Sequence, residues 1–263
     1  MNRLLKASAA FALTACTLTT AQAGEPDAFA PVAPPVEEDG WNVALMPYFW
    51  FAGLDGDVGF NGNVGEVDMD FGDIWDTLEF GLMGAAHFQK GKWGFQLDGI
   101  WMQLEDDAKL EGPLDADLNA EIEMARIQGL ITYELFDNGP TQIYVKGGAA
   151  WFYMSLDFDV KGGRGLGRGI DGSESESFID PMFAAVLHHD LTERWYIDVR
   201  GQIGGFGVES DFIWQIGGFL GYRINERYSI GAGYRHLDID YRQKDFVFDA
   251  SMSGPYVGGK IQF

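Results

Sequence analysis

Histidine is the side chain best suited to proton transfer near neutral pH, and this chain has four: His87, His188, His189 and His236. His236 and Asp238 stand two apart, so on an extended strand they share a face, where the carboxylate would orient the imidazole for general-base work. A base of that kind needs a second constellation facing it, and no spacing in the sequence supplies one. The plain alternative for His236 and Asp238 is a solvated pair. His188 and His189 are adjacent, so on a strand they point to opposite sides and do not form one site.

Other chemistries fare worse. Cys16 is the only cysteine, and no HExxH run or nucleophile elbow is present. Paired acids recur (Asp55/Asp57, Asp68/Asp70, Asp115/Asp117, Asp157/Asp159, Asp238/Asp240), but none carries the spacing of a calcium loop. The run GRGLGRG at 163–169 lacks the strand–helix context of a nucleotide-binding fingerprint and reads as a loop. No cofactor and no metal are expected. Lys and Arg total 18 against 40 Asp and Glu, a net charge of −22 that argues against a nucleic-acid partner.

The elements that must position these groups are ten segments of apolar–polar alternation: 41–53, 80–90, 92–105, 118–136, 141–158, 177–191, 194–208, 211–224, 227–241 and 246–263. In the first of them Trp41, Val43, Leu45, Pro47, Phe49 and Phe51 fall on one face, with Pro47 expected to force a bulge or distortion. Connections alternate between short (Gly91, 137–140, 192–193, 225–226) and long, and no stretch reaches the roughly 18 apolar residues of a membrane helix. Trp41, Trp93, Trp101, Trp151, Trp195 and Tyr228 fall near segment ends, as interfacial girdles do. The fold class read from this is all-β: an antiparallel transmembrane β-barrel of about ten strands in an outer membrane, short turns toward the periplasm and long loops outside. Eight strands stay open, and so do twelve, because the acidic stretch 54–79 has room for a hairpin and for a helical turn at 73–78. The rival is a soluble barrel or sandwich, which alternation also describes.

Residues 1–23 read as a signal peptide, with Arg3 and Lys6 before a small apolar run and Ala21-Gln22-Ala23 as the cleavage site. Lipidation at Cys16 after Leu13-Thr14-Ala15 is the alternative. Residues 24–40 carry four prolines and no period, and read as a disordered periplasmic arm. The barrel occupies 41–263, and its last strand, ending at Phe263, is expected to engage the barrel-assembly machinery. Outer-membrane lipids and lipopolysaccharide are the other expected partners.

In a membrane barrel the polar alternate residues line the interior. The expected lining includes His87, Asp98, Arg126, Lys146, Asp180, Asp198, Arg200, Arg235 and Lys260, with Gln89, Gln96, Gln128, Gln202 and Gln215. A barrel this narrow fills with side chains. The four basic groups Arg126, Lys146, Arg200 and Arg235 are therefore expected to pair with Asp98, Asp180 and Asp198, unless they line a narrow anionic path.

Three pieces, WNVALMPYFWFAGLDGDVG, FGDIWDTLEFGLMGAAHF and GKWGFQLDGIWMQLED, resemble a family of uncharacterised outer-membrane β-barrel proteins of Gram-negative bacteria. They span roughly residues 41–106. The resemblance implies a barrel in the outer membrane and carries no catalytic residues. The functional expectation is a non-enzymatic protein, structural or a narrow conduit for small solutes. A rim-sited enzyme acting on lipid or peptide, using His236 and Asp238, is a second reading. A surface-binding module using the acidic extracellular loops is a third.

Overall fold

The computed structural model describes residues 40–60, 63–110, 116–162, 170–243 and 246–263. The signal peptide and nearly all of the arm lie outside them, as does the 163–169 loop. Alternation becomes strand at every expected place. The elements are β1 (Asn42–Trp50), β2 (Gly53–Phe60), β3 (Asn63–Met69), α1 (Phe71–Thr77), β4 (Leu78–Lys90), β5 (Trp93–Leu110), β6 (Ala116–Asp137), β7 (Thr141–Gly162), β8 (Ile170–Asp190), β9 (Trp195–Gly204), β10 (Phe212–Arg223), β11 (Tyr228–Gln243) and β12 (Phe246–Gln262). Each of β4 to β12 pairs antiparallel with its sequence neighbour, β1 pairs with β4, and β12 returns to β1. The result is a closed ten-stranded barrel with two further strands, β2 and β3, outside the ring.

Those two strands are the hairpin for which the acidic stretch had room. Trp50 faces Tyr256 and Gly53 faces Ser253, and between them the Phe51 amide donates to the Pro255 carbonyl at 2.9 Å. β1 and β2 are therefore one long strand in a single register on β12. Its first half also pairs with β4, and its second half pairs with β3. At Pro47, where a bulge or distortion is expected, the register does not slip, but Met46 and Pro47 have no partner on β12. Leu45 faces Ile261 and Tyr48 faces Gly258 without a slip, and on the other side Pro47 lies opposite Gly84, which has no side chain to meet the ring. Register shifts fall elsewhere, at Leu78/Phe80 on β4 and Glu134/Phe136 on β6.

The helical turn also forms. Asp70 caps α1 by accepting from the Asp73 amide at 3.1 Å, and Asp73 returns the bond to the Asp70 amide at 3.0 Å. Phe71 and Trp75 of α1 pack on Phe51 and Phe49, with ring centroids 4.9 and 5.7 Å apart, so the helix sits against the barrel's outer face.

That face is apolar. Leu97, Ile127, Ile131, Phe183, Val199, Ile216 and Ile230 are exposed, although each sits in a strand paired on both sides. Trp93 and Trp101 bracket the belt on β5, eight residues apart, or about 26 Å of strand. With a tilt of about 40° this spans about 20 Å along the membrane normal, inside the roughly 25 Å apolar band of outer-membrane barrels. Among the described residues no helix is long and apolar enough to cross a membrane. β5 to β8 run 18, 22, 22 and 21 residues, well beyond the 9–11 or so that a crossing needs, and so project past the belt at the long-loop end.

Leu97 lies midway between the two tryptophans. Leu97→Arg should cost about 2–4 kcal/mol in urea unfolding from lipid vesicles, and a loss below about 1 kcal/mol would mean that the position does not face hydrocarbon.

Candidate functional site in the barrel interior

Alternation turns the opposite set of side chains inward, and the interior divides into two halves. Nearer the short turns it is polar. Asp98, Arg126, Lys146 and Arg235 are buried, His87, Asp198 and Arg200 are half-buried, and Lys260 is exposed near the end of β12. Arg126 lies 3.7 Å from Asp98, which also receives the Tyr48 hydroxyl at 3.3 Å, and Arg126 bonds Gln128. Gln128 on β6 exchanges amide bonds with Gln202 on β9, one of them 2.8 Å long. Two strands, β7 and β8, lie between these two residues along the wall, so the bond spans the interior. The Lys146 ammonium donates to Gln96 rather than to an acid.

The expected pairing of four cations with three acids is met only by Arg126 and Asp98. Asp180 instead accepts the amides of Glu209 and Ser210 at 3.1 Å, which fixes the connection between β9 and β10. Asp198 takes His188 Nδ1 at 2.7 Å. The other nitrogen of that ring lies 3.1 Å from Asp190, which also holds Arg223. This four-residue cluster at the short-turn end was not legible in the sequence, because its members come from β8, β9 and β10. His189, on the opposite face, meets the Thr141 hydroxyl at 2.8 Å.

Aromatic rings cover the rest of the polar half. Tyr196, Phe219, Tyr256 and Tyr48 follow one another around the inner wall at 5.4 to 6.4 Å between centroids. They need bare backbone beneath them. A Cβ on Gly221 would sit 2.1 Å from the Tyr196 ring, and one on Gly233 would sit 2.7 Å from the Tyr256 ring. Arg235 lies over this wall, 4.0 Å from the centre of Trp50 and 5.0 Å from that of Tyr48.

Toward the long loops the interior is apolar, which a uniformly polar lining did not anticipate. Ile100, Met102, Met154, Met182, Ile213, Leu237, Ile239 and Met252 form one buried cluster with Phe152, Phe178 and Tyr241. Phe152 stacks on Phe178 at 4.9 Å and Phe178 on Tyr241 at 4.1 Å, while the Tyr241 hydroxyl donates to Glu176. Phe178 is on β8 and Tyr241 on β11. The stack therefore joins β8 to β11 at a level where β9 and β10 have already ended.

His236 and Asp238 face outward, away from all of this. His236 Nδ1 lies 2.6 Å from the hydroxyl of Ser253, its cross-strand neighbour, and its ring lies against Trp214 at 4.6 Å. Asp238 is next along the same face, opposite Ser251 and Trp214. Ser253 went unnoticed in the sequence because β12 alone gives no sign of its partner. No cluster of His, Cys, Asp or Glu suited to a metal ion occurs among the described residues.

A closed antiparallel barrel with an apolar belt outside and packed side chains within is the architecture of an outer-membrane β-barrel. The crystal structure of the outer membrane protease OmpT from Escherichia coli is similar, with a TM-score of 0.51 at 9% identity over 86% of this chain and 98% of that one. The transport unit of the autotransporter AIDA-I from Escherichia coli aligns with a TM-score of 0.42 at 6% identity, over 89% of this chain and 94% of that one. Ail, the attachment invasion locus protein of Yersinia pestis, aligns with 0.38 at 12% identity, over 86% and 99%. At such identities the likeness extends to the fold alone. No family model matches the chain, and no curated relative matches it.

Phe178→Ala should cost about 3–5 kcal/mol, because it removes the middle ring of the buried stack. Urea unfolding in vesicles measures this, and a cost near zero would place that ring outside the core.

Proposed function

We propose that the protein is a non-enzymatic outer-membrane barrel with a closed interior, which holds an acidic β-extension at the cell surface. The observation that carries this reading is the pair of barriers inside one ring: the Gln128–Gln202 bridge in the polar half and the Phe152–Phe178–Tyr241 stack beyond it. The bridge joins β6 to β9 across the ring, and the stack joins the paired residues Phe152 and Phe178 to Tyr241 where β9 and β10 have ended, so together they narrow the path a solute would take. The extension above the belt explains why the strands run on. On β11, β12, β2 and β3 it sets Asp240 opposite Asp249, Asp249 opposite Asp57, and Asp57 opposite Glu66, with Arg242, among the described residues, the one cation bonded into the row. Like charges directly opposite repel, so such a row suits a solvated surface that meets cationic partners.

Single-channel recording of the refolded protein in a planar bilayer tests the closed interior. No discrete steps are expected from a barrel whose heat-dependent gel mobility confirms folding, and reproducible steps would replace this reading with that of a conduit. The acidic row predicts that added NaCl stabilises the barrel against urea. Asp57→Asn and Asp249→Asn should each reduce that dependence.

A second reading, a rim-sited enzyme acting on lipid, is favoured by one observation: the 2.6 Å contact between His236 and Ser253, the distance of a base and its nucleophile. Fatty acid released from phospholipid vesicles by the refolded protein, and lost in His236→Ala and Ser253→Ala, would establish it. The non-enzymatic reading predicts no release.

A further inference from the structure

The arginines in the middle of the barrel are under-compensated. Arg126 and Arg235 are both buried, and both lie beside Tyr48: Arg126 through the carboxylate that Tyr48 bonds, and Arg235 over the Tyr48 ring. Asp98 is the only carboxylate with a bond or ion pair to either of them among the described residues. Two buried guanidinium groups thus share one negative charge, and a buried charge without a partner is costly. Three of their N–H groups, Arg126 Nε, Arg235 Nε and Arg235 Nη2, are buried without an acceptor.

The identity of the orphan groups is informative. Nε and Nη2 form one edge of a guanidinium, where two parallel N–H bonds match the spacing of two oxygens on a carboxylate or phosphate. The face of Arg235 is covered by Trp50 at 4.0 Å, with Tyr48 and Tyr256 at 5.0 and 5.5 Å, so the rings hold its plane and leave the edge free. The neighbouring acids have other partners: Asp180 has the two amides of the β9–β10 connection, and Asp198 has His188. Toward the short turns the same interior carries Lys146, Arg200, Arg223 and Lys260 against Asp190 and Asp198, so cations are in excess there.

We infer that Arg126 and Arg235 form an internal site for a small oxyanion, a free carboxylate or phosphate group clasped by the Nε–Nη2 edge of Arg235. The site does not depend on whether the barrel conducts, because a blind pocket and a closed path hold an anion equally well.

Thermal unfolding of the refolded barrel, titrated with sodium acetate or sodium phosphate at an ionic strength held constant with the bulky sulfonate buffer HEPES, tests the inference. A saturable rise in unfolding temperature is expected with at least one of the two probes, and the probe that saturates identifies the oxyanion. Arg235→Gln should need about tenfold more anion or worse, the loss expected when a charge-assisted bond is removed. Asp98→Asn keeps the shape but removes the competing charge, and should saturate at lower concentration. A rise that does not saturate, or that is the same in wild type and Asp98→Asn, would overturn the site. Should Arg235→Gln not fold, bromide soaked into crystals of the wild-type protein decides. An anomalous peak against both guanidinium groups is expected, and an interior without one contradicts the proposal.

Discussion

The structure rests on one constraint: in hydrocarbon a backbone N–H or C=O has no water to turn to, so every one of them must bond within the protein. A sheet satisfies this only by having no edge. Here the edge is removed by the pairing of β1 with β12, the last ladder to be made in sequence order and the one that joins the two ends of the barrel. Much else follows from that closure. The register must hold without a slip through Pro47, and it does. Beyond the membrane the constraint relaxes, and there β2 leaves the ring to pair with β3 while β4 begins anew.

Closure also creates an interior sealed from lipid, and its chemistry changes along the axis. Near the short turns, charged and amide groups hold one another across the space, with rings laid over glycines on one wall. Further out, methionine, isoleucine and aromatic side chains pack as they would in a soluble core. The polar half orders charges and the apolar half seals them, so neither is a lining in the sense of a wide pore. Asp180 belongs to neither half in role, since it ties the short β9–β10 connection onto the wall.

The strands were legible because the outer belt enforces a strict period of two, and that belt is the strongest signal in the chain. Leu97, Gly99 and Trp101 outward against Gln96 and Asp98 inward admit one reading. The same rule misled where both faces are apolar: Ile100 and Met102 flank Trp101, and a polar-interior rule has no place for them. The signal was present as an inverted phase in the long-loop halves of β5 and β12, where buried Met102 and Leu104 alternate with Gln103 and Glu105, and buried Phe248, Ala250 and Met252 with Asp249 and Ser251. The β2–β3 hairpin was half legible, since its acidic strands alternate weakly. Long-range partners were not legible at all. His188 meets Asp198 and Arg223, and His236 meets Ser253, only because particular registers bring their strands side by side. Those registers are fixed by the closed ring rather than by any local pattern.

Amide hydrogen exchange of the refolded protein in lipid bilayers tests ring closure most directly. The closed ring predicts that Leu45 and Tyr48 on β1 and Val257 and Ile261 on β12 exchange as slowly as Leu97 and Gln128 in the middle of the wall. Rapid exchange confined to the facing edges of β1 and β12 would mean an open seam, and the barrel as described would be wrong.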